Sequence, residues 1–221
     1  MRRAITTMVM FGLAALAPSS LPAQGMAEIC SGLTDVEVGE WATYDVDSGS
    51  QQGTMRFALI AEGAAGGDGQ WFEVTMNVGG LDMVVQLQVP GWPFGPDDVE
   101  GVVMKSAGQP AMRIPGSMLS MVQGQMDIPM ADLSENCLGS ELLGTESVEV
   151  PAGTFEAYRI RPTDQDLDPG DVWLSPEVPF GLVKGEGPDG SMTLIDSGSG
   201  ATSTITETPQ DMPGIPGMGN R

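Results

Sequence analysis

Apolar residues recur at every second position over most of this chain, the period of a half-buried β-strand. Phe72, Val74, Met76 and Val78 alternate with Trp71, Glu73, Thr75 and Asn77. Gly79-Gly80 follows, a pair suited to a two-residue hairpin of the primed type. Leu81, Met83, Val85, Leu87 and Val89 then form the longest one-sided apolar row in the protein. Upstream, Ala42, Tyr44 and Val46 mark a strand within Leu33 to Asp47, and Met55, Phe57 and Leu59 mark another within Thr54 to Ile60. Downstream, Val99 to Lys105 and Ala111 to Ile114 read as short strands. Met192 to Ser197 and Thr202 to Thr206 are expected to close the sheet. Loops rich in Gly and Pro separate these runs, notably Glu62 to Gln70 and Pro90 to Pro96.

From Glu141 to Lys184 the same alternation is cut by turn chemistry, which predicts an antiparallel meander. Val148 and Val150 lead into Pro151-Ala152-Gly153, where Pro pre-sets a turn and Gly153 can adopt positive φ to close a bulged hairpin. Thr154 to Arg161 returns, and an acidic loop from Thr163 to Asp171 leads to Val172-Trp173-Leu174. Ser175-Pro176-Glu177 turns the chain into Val178 to Lys184, with Pro179 expected at that strand's start or on an edge.

The period changes in Pro115 to Met130. Ser117 can cap a helix there, and Met118, Met121, Val122 and Gln125 share one helical face, while Gly124 keeps it short. Roughly ten strands and one short helix make the chain mainly β. A sheet with an apolar face must cover it, and the methionine helix is the candidate lid. Periodicity alone leaves a closed barrel open as an alternative.

The runs V-E-V-P-A-G-T-F-E-A-Y (148–158) and W-L-S-x-E-V-P-F-G-L-V-K (173–184) resemble the C-terminal part of extracytoplasmic proteins of the lipoprotein carrier superfamily, which includes periplasmic lipoprotein-localisation factors. The resemblance rests on about a fifth of the 221 residues. It implies a curved antiparallel sheet, a half-barrel whose concave apolar face lies under short helices. It also implies carriage of lipid or lipid-modified protein, and it transfers no individual ligand contact to this chain.

Arg2 and Arg3 ahead of the apolar stretch Ala4 to Ala17, then small residues to Ala23 or Gly25, read as a secretory signal peptide. The expected division is 1–25 signal peptide, 26–206 one β domain, and 207–221 a disordered Pro/Gly-rich tail. No second stretch is long enough to span a membrane, so the mature chain is expected in the periplasm or secreted, without an integral span. Ala27-Glu28-Ile29 before Cys30 lacks the small-residue box of a lipid anchor. Removal of the leader leaves seven basic residues against thirty acids, a net charge of −23. That charge repels nucleic acid and anionic membrane surfaces. The two cysteines, Cys30 and Cys137, are expected to pair in an oxidising compartment.

The absence of histidine excludes Ser-His-Asp and Cys-His catalysis and any imidazole metal site. Asp164, Asp166, Asp168 and Asp171 begin like a calcium loop, but Pro169 stands where glycine belongs and Ser175 where a bidentate Glu belongs. A solvated acidic turn is the expectation, with a weaker calcium site of another kind left open. Asp97, Asp98 and Glu100 beside Trp92 and Phe94 are the best-placed carboxylates for hydrolysis, though nothing in the sequence shows the raised pKa an acid would need.

Methionine is the distinctive apolar residue: sixteen in all, thirteen of them after Gly25. Flexible thioethers suit varied apolar partners, though they also fill ordinary cores. The primary expectation is a non-enzymatic protein, without metal or cofactor, that binds an apolar small molecule or a lipidated protein in a half-barrel cavity. Met83, Val85, Leu87, Met118 and Met121 are its candidate lining residues. A structural or adhesive envelope module with a filled core is the alternative, ahead of a secreted carboxylate- or calcium-dependent hydrolase.

Overall fold

Gly79 and Gly80 take φ of 60° and 84°, values natural to glycine, and fold β3 (Gln70–Val78) straight back along β4 (Leu81–Val89). In the computed structural model of the chain, residues 25–33, 35–67, 69–116, 118–119, 137–163, 170–188 and 190–212 are described. Besides β3 and β4 they form β1 (Trp41–Asp47), β2 (Gln52–Ile60), β5 (Gly101–Ser106), β6 (Met112–Arg113) and β7 (Ser140–Val150). Then come β8 (Gly153–Pro162), β9 (Asp171–Leu174), β10 (Leu182–Gly187), β11 (Gly190–Gly198) and β12 (Gln210–Asp211). One helix, α1 (Met26–Gly32), precedes them.

The twelve strands make a single sheet in the order β12-β6-β5-β4-β3-β2-β1-β11-β10-β9-β8-β7. Every pairing is antiparallel except β12 with β6. β12 and β7 are separate edges, so the sheet is open, the half-barrel expected rather than a closed barrel. Its seam lies at β1, where Trp41 faces Ala58 of β2 on one side and Gly198 of β11 on the other.

The inner face buries Ala42, Tyr44, Phe57, Leu59, Phe72, Leu87, Val102 and Leu194. The outer face is not simply solvated. Ala58, Ile60, Trp71, Val103, Ala111 and Ile205 form a second buried cluster there. Residues 199–209 build part of it. Thr202 to Thr206, expected as a strand, is instead an irregular strap over this face. Its polar groups bond to side chains of the sheet instead of to a ladder: the Thr204 amide donates to Glu73 at 3.0 Å, and Gln86 donates to Ser203 at 2.7 Å. The strap continues into β12, so the tail expected from residue 207 is packed at least as far as Met212, whose amide donates to the Arg113 carbonyl at 2.9 Å.

Two other expectations shift. Val178 to Lys184 is not one strand. Phe180 and Gly181 take φ of 65° and 76°, turning the chain so that β10 begins at Leu182 and Pro179 lies in the turn. A side chain at Gly181 would also strike Leu33 at 2.8 Å. α1 was not foreseen in the alternating pattern. It buries Ile29 and Cys30, and a Cys30–Cys137 disulfide, with Cα atoms 5.7 Å apart, staples it to the residues before β7.

Candidate functional site

The inner face is built from cross-strand rows. Leu59, Phe72, Leu87 and Val102 are successive register partners on β2 to β5, and all are buried. The next row runs Phe57, Val74, Val85, Met104 and Met112. The row after it runs Tyr44, Met55, Met76 and Met83. Phe57 and Tyr44 are buried, but Val74, Val85, Met104, Met112, Met55, Met76 and Met83 are only partly buried. Beyond β1, Val46 and Met192 are register partners and also partly buried. Burial on one continuous apolar surface therefore grades from complete to partial along the strands.

The closed end is filled by aromatic rings. Phe94 and Trp92, from the loop after β4, stand with ring centroids 5.3 and 5.4 Å from that of Phe72. Phe180, brought in by the turn before β10, lies 5.8 Å from Phe72 and 5.0 Å from Trp92. Such tilted and offset contacts add to the area they bury. Tyr44 donates its hydroxyl to the Leu182 carbonyl at 3.1 Å, and complete burial pushes its phenol above the ordinary value.

The candidate residues divide between these ends. Met83 and Val85 stand on the partly buried surface, whereas Leu87 is buried in the filled end. Met118 and Leu119, at the start of the expected lid, are partly buried and pack against the inner core. Met121 and the rest of that segment, residues 120–136, lie outside the described residues. The structure adds Val46, Val74, Met104 and Met192 to the surface. Their signal was the period-2 parity of their strands, but the strand order that joins them was not readable from it.

On the opposite face, Glu73 is buried among polar partners. Gln86 donates to its Oε2 at 2.7 Å and accepts from the Ala64 amide at 2.8 Å. Arg56 lies 3.7 Å from Glu73 Oε1 and over the Trp41 ring at 5.0 Å. Burial draws the Arg56 guanidinium below its ordinary value, and Glu73 opposes that shift. This cluster ties strands to strap, so its chemistry is that of a fastener.

The carboxylates considered for catalysis are otherwise engaged or solvated. Asp98 accepts the Gly95 amide at 2.8 Å and caps a turn, while Asp97 and Glu100 are exposed. Asp171, last of the acidic run, accepts from Arg159 Nε at 2.9 Å and Arg161 Nε at 2.7 Å. The hydrogen bond from Arg159 holds its carboxyl below the usual aspartate range, and Arg161 adds to this. Asp164, Asp166 and Asp168 lie outside the described residues. Among the described residues no cluster of three or more potential metal ligands occurs.

No family model matches the sequence, and no curated protein matches it. Among solved structures, the chain is similar to MucB, at 13% identity and a TM-score of 0.38, over 80% of this chain and 59% of that one. It is similar also to MucB in complex with MucA(peri), at 12% and 0.36, over 78% and 53%. A protein from Bacteroides fragilis described as exported, with a YmcC-like fold, aligns at 13% and 0.31 over 75% of this chain and 98% of its own. The chain thus spans little more than half the length of the MucB chains. At these identities and TM-scores the likenesses assign neither family nor activity.

Proposed function

We propose that this is an exported, non-enzymatic binding module of lipoprotein-carrier type that takes an apolar molecule, or the acyl chain of a lipidated partner, on the methionine-lined half of its inner face. One observation carries the reading: Met55, Met76 and Met83, in direct register across three strands, stay only partly buried beside an aromatic plug that fills the other end. A surface meant only as core would close along its whole length, as the Leu59 to Val102 row does. Met118 and Leu119, packed against the inner core, supply the near rim of a lid. Each methylene of a bound chain buried there contributes about 0.8 kcal/mol, and thioethers conform to chains of different shape. The leader-like N-terminus and the disulfide support an extracytoplasmic location.

The test is titration of delipidated protein with a fluorescent fatty-acid analogue. Saturable uptake that Met83→Asp abolishes, with the unfolding midpoint of that variant preserved, supports the reading. No uptake, or equal uptake by the variant, overturns it.

A further inference from the structure

The sheet's two edges are unlike. β12 is two residues long, whereas β7, at the other end of the strand order, has eleven. Residues 141–147 are exposed without interruption, so side chains on both faces of that stretch meet solvent. Among the described residues, β8 alone pairs with β7. Long edges are templates for a further strand, and proteins usually shorten them, cover them or guard them with Lys or Pro. β7 is long and carries neither Lys nor Pro; its only irregularity is a bulge between Leu142 and Gly144. Leu142 and Leu143, each 39% exposed, add apolar contact area at that point.

Charge selects the occupant. An antiparallel pairing of β7 with a second copy of itself, overlapped over its full length, sets Glu141 opposite Glu149 at both ends of the ladder. Like charges directly opposite destabilise a strand pair. Glu146 is already engaged, accepting the Trp173 indole N–H and lying 3.9 Å from Arg159. Glu141 and Glu149 have no ion-pair partner among the described residues. The overall charge draws basic segments to the protein.

We infer that the outer edge of β7 docks an extended segment of a partner protein that carries Lys or Arg opposite Glu141 and Glu149 and apolar residues between them. Main-chain hydrogen bonds would supply affinity and the alternate side chains specificity. This site is independent of the methionine face.

The probes are two synthetic peptides, KVTVSVTK and its charge-reversed form EVTVSVTE, one residue shorter than Glu141–Glu149 so that their end charges match the opposite faces on which the bulge sets those two side chains; they are titrated by fluorescence anisotropy with amide hydrogen exchange as the locating measurement. The basic peptide is expected to bind about tenfold tighter or more, a difference of about 1.4 kcal/mol, and to slow exchange of outward-facing amides in β7. The double variant Glu141→Gln/Glu149→Gln, changed only at exposed positions and placing no cation opposite Arg161, is expected to abolish the preference and to unfold as the wild type does. Equal binding of the two peptides, protection away from β7, or an unaltered preference in the double variant overturns the inference. So does a concentration-dependent dimer of the wild type protected at β7.

Discussion

Glu73 and Gln86 stand opposite each other on β3 and β4, joined by a 2.7 Å hydrogen bond on the outer face. Met76 and Met83, also opposite each other on these two strands, lie on the inner one. The same hairpin therefore carries a buried polar fastener on one surface and the candidate binding surface on the other. The two should respond to mutation separately.

Gln86→Leu removes the donor to buried Glu73 and the acceptor for the part-buried Ala64 amide. An orphaned buried polar group costs about 1–3 kcal/mol, so the urea midpoint should fall accordingly. Limited proteolysis should move to the strap at residues 199–209, while fatty-acid uptake stays at the wild-type level. A variant that loses uptake but keeps its strap would show that the two faces are coupled.

The disulfide closes a loop with a sequence separation of 107 residues. Chain-entropy reasoning puts its stabilisation at up to about 4.7 kcal/mol for a loop of this size. Cys30→Ser with Cys137→Ser should lower unfolding stability by about 2–5 kcal/mol in denaturant titration. It should also release α1, the element it staples, first.

Replacing Met55, Met76 and Met83 together by leucine keeps the apolar volume, so stability should change by less than about 1.5 kcal/mol. Leucine is stiffer than the thioether chain. The triple variant should still take up one well-fitting probe, yet discriminate more sharply among acyl chains of different length and unsaturation. A ligand profile identical to the wild type would deny the methionines an adaptive role.

Acid should unfold the protein partly through Asp171. Its folded-state pKa lies below the ordinary aspartate value because Arg159 and Arg161 donate to it. A depressed carboxylate contributes stability that is complete above the unfolded-state pKa of about 3.9 and is lost as pH falls through the folded value. Asp171→Asn should lower stability at neutral pH and flatten the decline below about pH 4 in pH-resolved thermal melts. An unchanged acid limb would assign the decline to other carboxylates, Asp47 and Glu207 among them, whose pKa values are also lowered.

The rows around Phe72 and Leu87 were legible because period-2 parity and the Gly79-Gly80 turn together fix both face and register. The Cys30–Cys137 link followed from number and compartment. Strand order was not legible: nothing local in Trp41 to Asp47 reveals that this strand sits between β2 and β11. Residues 202–206 misled because Thr, Ile and Thr alternate as in a strand, yet the Thr204 amide donates to Glu73 instead of to a ladder, and the Ser203 hydroxyl accepts from Gln86. Leu87 was grouped with Met83 because both share a parity. Parity names the face a side chain points to, but says nothing about which loop covers that part of the face, and here Trp92, Phe94 and Phe180 close over Leu87's row.

The seam at β1 has a cost in time. Its two neighbours are contributed by segments at Gln52–Ile60 and Gly190–Gly198, so the first pairing can form locally while the second must wait for a very distant stretch of polypeptide. Long-range strand pairing is slow because the closure entropy must be met before the contacts repay it. Until β11 arrives, β1 presents a bare flank bearing Tyr44 and Ala42, a hazard for aggregation. Such a chain would gain from a holding chaperone during its passage to the native state, and its spontaneous refolding should be slow and strongly concentration-sensitive.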